Sequence, residues 1–454
     1  MTDNIDIRKK DLLEEDPQQL INMTCLSDHV FATGSRQTAQ NAQKPANSGY
    51  LVLPDVEITE RAEASRLQCV VANDLRYCPV SRHKIKENID FESSIVALLE
   101  TVPQSQRAEL KQNLKAFVNK RISQLGTEEI RATIVQVERL LSDHGPDDLP
   151  VGERILLAQQ TLKLAANPSF VRQGRFNTCE VATIERMLWQ KEPSAVAHII
   201  ADAAVTRSIR DYDGNALPLS AEPFKKDLES PADSPQPADR LYASQLFQVS
   251  VIEREWASRD FPALGLPKGA IKYKLQTPEG PDDSGERLKL SDGPDVLVDP
   301  EDDDFPIVDP GIDFGTMGKI YNSLSRKRAS DAPLLLAPRE AARLVPNNDT
   351  KLALLTDTDT KQLSRTLQEL KENQKLPIIA AVTEHSRSGS VDLHAVTIED
   401  YDPFRGLVYV INQRHPALDG WMSLTAVQES MERVKGLTPW QLEKPSKVVV
   451  RRRD

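Results

Sequence analysis

Gln173-Gly174-Arg175-Phe176-Asn177-Thr178-Cys179, running on into Glu180-Val181, is the stretch from which this chain is read. Val181, Ile184, Met187 and Leu188 recur at helical spacing, so a helix starts close to Cys179. Asn177 is placed to cap it, and Glu180, three residues on, is placed to reach back and close a capping box. A thiol in the first turn of a helix sits at the positive end of the macrodipole, among backbone N–H groups that no helical carbonyl serves. Both features favour thiolate, the nucleophilic form. Cys179 therefore stands where a cysteine becomes reactive.

A cysteine nucleophile needs a base, and the base needs a group that orients it. Far down the chain, Leu376-Pro377-Ile378-Ile379-Ala380-Ala381-Val382 reads as a strand and is followed by a polar turn through Ser386 to Ser390. A second strand, Leu393-His394-Ala395-Val396-Thr397-Ile398-Glu399, alternates with period two. It turns at Asp402-Pro403-Phe404-Arg405-Gly406 into a third, Leu407 to Asn412. His394 opens one strand of this hairpin and Asn412 closes the other, so antiparallel pairing sets the two side by side. An imidazole oriented by an amide and facing a helix-borne thiol follows the logic of catalytic triads.

Gln173, Cys179, His394 and Asn412, in that order, resemble the papain-like cysteine peptidases, especially the bacterial branch related to leader-processing peptidases. The resemblance covers roughly residues 165 to 205 and 360 to 435. It includes a helix through Leu363, Leu367 and Leu370 before Pro377 and another from Leu424 to Val434 after the hairpin. It implies an α+β fold, with Cys179 as nucleophile, His394 as base and Asn412 as orienter. Gln173, six residues before the cysteine, would donate its side-chain amide to the oxyanion hole. It further implies a peptide or protein substrate, no cofactor and no metal. The chain departs from papain itself in two places. Asn177-Thr178-Cys179-Glu180-Val181 replaces the Cys-Gly-Ser-Cys-Trp neighbourhood, and Gln413-Arg414 follows Asn412 where papain has Ser-Trp. The long interval from Cys179 to His394 calls for an insertion.

The same residues carry a plainer reading. A cysteine on an amphipathic helix is more often a small buried hydrophobe than a nucleophile, and the histidine and asparagine then belong to a non-catalytic interaction protein that keeps the fold. Acyl transfer of the transglutaminase-like kind uses the same parts as hydrolysis.

Composition narrows the field without choosing within it. The 454 residues suffice for two or three domains. A formal net charge of −11 argues against a nucleic-acid partner, which the short Arg451-Arg452-Arg453 run does not reverse. No apolar run approaches the roughly 20 residues that span a bilayer, and Asp3, Asp6, Glu14, Glu15 and Asp16 leave no secretory apolar core, so the chain reads as cytoplasmic. Cys25, Cys69, Cys78 and Cys179 are too scattered for a disulfide framework or a zinc site. His29, His83, His144, His198, His385 and His415 show no metal-ligand spacing.

Residues 1–91 are polar and read as largely irregular. Residues 92–166 read as a bundle of three helices, with stripes Leu110, Leu114, Phe117; Ile130, Ile134, Val137, Leu141; and Ile155, Leu156, Leu162. Gly126 ends the first of these helices and Thr127 can cap the second. In papain-like peptidases an inhibitory helical pro-segment often takes this place, and a plain structural bundle is the commoner reading. Residues 167–454 then form the papain-like domain. Within it, helices start at Pro193 and run from Leu241 to Trp256, and residues 217–239 form a Pro- and Ser-rich linker. Residues 275–315, with Glu301-Asp302-Asp303-Asp304 at their centre, read as an acidic loop whose spacing fits no EF-hand.

Overall fold

In the computed structural model, the described residues are 99–142, 148–174, 178–211, 214, 216–225, 239–259, 265–275, 286–291, 293, 312, 314–325, 334–337, 360–385 and 391–434. The expected irregular region 1–91 lies outside them. Residues 94–454 form one compact unit. The fold is α+β, with sheets that are antiparallel apart from one short pairing.

Helix α1 (Gln104–Ser142) carries the first two expected helices, joined at Gly126, whose φ of 78° takes it out of helical geometry. That left-handed φ is why glycine stands at the junction. Helix α2 (Val151–Ala166) follows, then α3 (Cys179–Lys191) and α4 (Pro193–Thr206). Polar ties bind this bundle to the helices after it. Arg139 of α1 pairs with Asp202 of α4 at 2.7 Å, and Glu129 accepts the Ser194 backbone N–H at 2.8 Å. The bundle and the Cys179 helix thus share one body. Strands β1 (Ser208–Arg210) and β2 (Ala216–Pro218) make a small hairpin before α5 (Tyr242–Ser258).

Strands β3 (Ile271–Leu275) and β4 (Glu286–Leu290) pair antiparallel. Strand β4 and the start of helix α6 (Phe314–Leu324) both fall inside the segment expected as an acidic loop. The correction has a local cause, because the alternating Arg287-Leu288-Lys289-Leu290 is masked by the Asp, Pro and Gly around it. Glu301 to Asp304 lie outside the described residues.

The main sheet has the order β5-β6-β7-β8-β9. Strand β5 (Leu335–Leu336) runs parallel to β6 (Ile378–His385), and β7 (Val391–Asp402), β8 (Leu407–Ile411) and β9 (Gly420–Ser423) continue antiparallel. Helix α7 (Thr360–Glu372) lies in sequence between β5 and β6, and α8 (Leu424–Val434) follows β9. Residues paired across strands share a face. Ile378, Ala380, Val396, Ile398, Val408 and Val410 pack with Leu363 and Leu367 of α7 and Val427 and Met431 of α8 in one apolar cluster. The opposite face meets α3, where the Arg186 Nε donates to Glu399 of β7 at 2.8 Å and the Gln190 amide to the same carboxylate at 2.6 Å.

Candidate active site

Helix α3 begins at Cys179, so its thiol is on the first helical residue. The N-cap is Thr178, with no side-chain cap bond, and not Asn177, which lies outside the described residues. Its hydroxyl turns away and donates to the Gln248 amide oxygen of α5 at 2.8 Å. Cys179 is buried, with 4 % of its surface exposed, and carries no disulfide.

His394 is the fourth residue of β7, since that strand starts at Val391, three residues before the expected opening. It pairs with Val382 of β6. On its other side, the last β7–β8 pair is Thr397 with Ile411, so His394 lies beyond the end of β8. Asn412 is the first residue past that strand, and its Oδ1 lies 3.1 Å from the His394 Nε2.

The chemistry of this contact fixes the histidine tautomer. The same Asn412 Oδ1 accepts the backbone N–H groups of Arg414 and His415, each at 2.9 Å. Backbone N–H groups only donate, so the atom they meet is the amide oxygen, and the imidazole nitrogen facing it must carry a hydrogen. Neutral His394 is therefore protonated on Nε2 and keeps its lone pair on Nδ1. An asparagine clamped by three donors cannot swing, and it holds the ring with the basic nitrogen directed away from itself.

Asp419 secures Asn412 from behind. One carboxylate oxygen accepts the Asn412 backbone N–H at 2.8 Å and the other pairs with Arg172 at 3.0 Å. Burial pushes the Asp419 carboxyl above its ordinary range and the Arg172 guanidinium below its own, and each charge opposes the shift of the other. Gln173 follows Arg172 and is fully buried. Its backbone N–H donates to the Gln413 carbonyl at 3.1 Å, next to Asn412. The Gln413 side chain donates in turn to Thr397 at 2.7 Å.

One side chain closes the neck of the loop between Gln173 and Cys179. The Gln248 amide nitrogen donates to the Arg172 carbonyl at 2.9 Å, and its oxygen accepts from Thr178 at 2.8 Å. Arg172 and Thr178 immediately precede Gln173 and Cys179, so a single amide brings those two residues to one neck. The Gln248 nitrogen also donates to Glu185 of α3 at 2.8 Å, which takes further bonds from Ser244 at 2.7 Å and Trp189 at 3.1 Å. Full burial raises the Glu185 carboxyl to about 7 against these three donors.

The structure thus joins His394 to Asn412 directly, ties Gln173 to the residue after Asn412, and pins Cys179 beside Gln173. His394, Asn412 and the backbone of Gln173 are thereby linked at one end of the main sheet, beyond the last β7–β8 pair, while Cys179 is tied in through the Gln248 bridge between Arg172 and Thr178. Sequence reasoning missed Gln248, Asp419, Arg172 and Gln413. Only Gln248 left a trace, as a polar residue inside the apolar run Leu246-Phe247-Gln248-Val249. Among the described residues, no group of three or more His, Cys, Asp or Glu could hold a metal ion. Likewise, no helix among them is long and apolar enough to cross a membrane. Comparison of the chain with known protein families, with curated proteins and with solved structures finds no match.

Proposed function

We propose that the chain is a papain-like, cysteine-dependent hydrolase that acts on amide bonds of a peptide or protein. The observation that carries this reading is the clamped Asn412, because it fixes Nε2 of neutral His394 as the donor, makes Nδ1 the basic nitrogen and holds the ring in one orientation. The His394 Nδ1 takes the Cys179 thiol proton, and the thiolate attacks the substrate carbonyl carbon. The resulting oxyanion is held by the Gln173 amide and the Cys179 backbone N–H, a donor in the first turn of α3. Collapse breaks the C–N bond, and the imidazolium returns its proton to the leaving amine. Water, deprotonated by the same ring, then cleaves the thioester and regenerates the thiol. An amine in place of water would make the reaction a transfer.

The burial of Cys179 favours a second reading, a non-catalytic interaction protein that retains the fold. Alkylation by iodoacetamide across pH separates the two. Under the catalytic reading, Cys179 alkylates well below the ordinary thiol value of about 8.5, and His394→Ala moves the midpoint up toward that value. Asn412→Ala moves it less. Coincident wild-type and His394→Ala curves would establish that Cys179 does not sense His394 and leave the non-catalytic reading in possession.

A further inference from the structure

A second site lies at the other end of α3. This helix has 13 residues, so its ends are about 18 Å apart. Around its C-terminus opens a cleft of about 990 Å³, walled by α1, the C-terminal end of α2, the α3–α4 junction and the turn that leads into β6. That volume is at the upper end of the range for small-molecule pockets. Four cations line it: Lys120, Arg121, Lys191 and Lys375. The one carboxylate in the lining is Glu192, which accepts the Ser325 hydroxyl at 2.6 Å.

The charges do not cancel. The Arg121 guanidinium donates to the Ala165, Trp189 and Gln190 carbonyls at 2.9, 3.2 and 2.7 Å, and so caps the C-terminal ends of both α2 and α3. Those two helix ends carry about half a negative charge each, which uses up roughly one cation. Glu192 offsets a second. Lys120, on α1, and Lys375, before β6, are exposed and have no carboxylate partner among the described residues. They leave a surplus of about two positive charges facing one cavity, on a chain whose net charge is −11.

We infer that this cleft binds a small organic phosphate monoester between Lys120 and Lys375. A phosphate monoester carries about −1.5 to −2 at neutral pH, which matches the surplus, and its oxygens accept from ammonium groups. The remaining volume takes the organic part against Leu125, Leu334 and Leu376. Arg121 stays charged, because burial lowers it only to about 10. The site is independent of the proposed reaction, since none of its lining residues belongs to the cysteine site.

The full chain, titrated with adenosine 5′-monophosphate in a calorimeter and by thermal unfolding, tests the assignment. Binding should raise the unfolding midpoint by about 2 °C or more at saturating ligand. It should weaken steeply between 50 and 300 mM salt, and at least tenfold in Lys120→Ala/Lys375→Ala. Both lysines are exposed, so the variant retains the fold, which its unliganded unfolding midpoint confirms. Inorganic phosphate should compete weakly, and adenosine should not bind. Equal binding of adenosine, or undiminished binding by the double variant, overturns the proposal. So does binding of a hexaglutamate peptide in place of the nucleotide, which would make the cleft a docking place for acidic protein segments.

Discussion

Where α7 and α8 meet the main sheet, the contact is made of aliphatic side chains, from Leu363, Leu367, Val427 and Met431 to Val396, Ile398 and Val408. Where α3 and α5 meet, the buried groups are Thr178, Glu185, Ser244 and Gln248, hydrogen-bonded to one another. Both contacts exclude water, but they specify structure differently. An aliphatic contact rewards volume and tolerates small shifts of one element against another. A network of directional donors and acceptors tolerates none, because each buried group that loses its partner costs its full desolvation. The chain has placed the rigid kind of contact beneath Cys179 and Gln173, and the adaptable kind on the far face.

Gln248→Leu breaks this contrast most severely. It strands the Arg172 carbonyl, the Thr178 hydroxyl and one Glu185 oxygen, and should cost roughly 4 to 6 kcal/mol in denaturant unfolding. In whatever folded fraction remains, amide hydrogen exchange in the loop neck at Gln173 and Cys179 should speed up. Unchanged exchange there would show that Gln248 does not hold the loop.

On the apolar side, Leu367→Ala should cost roughly 3 kcal/mol, within the usual range for a buried leucine. Its effect should be the same at pH 5 and pH 8, and the pH profile of Cys179 alkylation should not move. A displaced alkylation profile would mean that the two contacts are coupled.

Acidity sharpens the comparison further. Burial raises both Glu185 and Glu253 from 4.5 to about 7, so the folded state binds their protons more tightly than the unfolded chain does. The stability that each contributes is fully present below about pH 4.5 and is lost as pH rises through about 7. The loss amounts to up to roughly 3 kcal/mol for each residue. The two differ in what replaces them. Glu253 meets the Ser220 backbone N–H and a hydroxyl that can rotate to accept, so Glu253→Gln should fit and stabilise the protein at pH 8 by roughly 2 to 3 kcal/mol. Glu185 faces the Trp189 indole and the Gln248 NH2, which only donate, and a new NH2 at position 185 would oppose one of them. Glu185→Gln should therefore destabilise at every pH. Chemical denaturation of both variants between pH 5 and 8 decides, and similar behaviour of the two would refute the assignment of donors.

The smallest effect belongs outside both contacts. Phe404 is 99 % exposed in the β7–β8 turn, and Phe404→Ser should change stability by less than about 0.5 kcal/mol. A larger loss would reveal a contact that this turn makes beyond the described residues.

Much of this was legible in order along the chain. The stripes through Leu110, Ile130 and Ile155 predict the helices that form α1 and α2, and Gly126 marks the junction between the first two. The period-two run around Val396 predicts β7, and the short turn at Asp402 to Gly406 predicts its pairing with β8. That pairing sets His394 within reach of Asn412. The buried polar side of α3 was not legible. Its sequence shows one apolar stripe, yet Glu180, Thr183, Glu185 and Arg186 are buried as well. Periodicity assumes that polar residues face water, and here Glu185 and Arg186 face polar residues brought from α5 and β7, while Thr183 bonds the Cys179 carbonyl of its own helix.

What the sequence determined by itself is therefore local: which segments are helix or strand, that a cysteine opens a helix, and that a histidine and an asparagine share a hairpin. Hydrophobic spacing and turn chemistry act over a few residues, so they can be read from a few residues. Tertiary structure alone decided that the Thr178 hydroxyl bonds Gln248 and does not cap its own helix, that Asp419 and two backbone N–H groups clamp Asn412, and that lysines from distant segments face one cleft. The Asn412 clamp is made within seven residues but depends on how the chain turns after β8, whereas the Gln248 bridge and the cleft lysines join groups separated by tens to hundreds of residues. Directional bonds of that range are set only when the apolar faces have already chosen which elements meet.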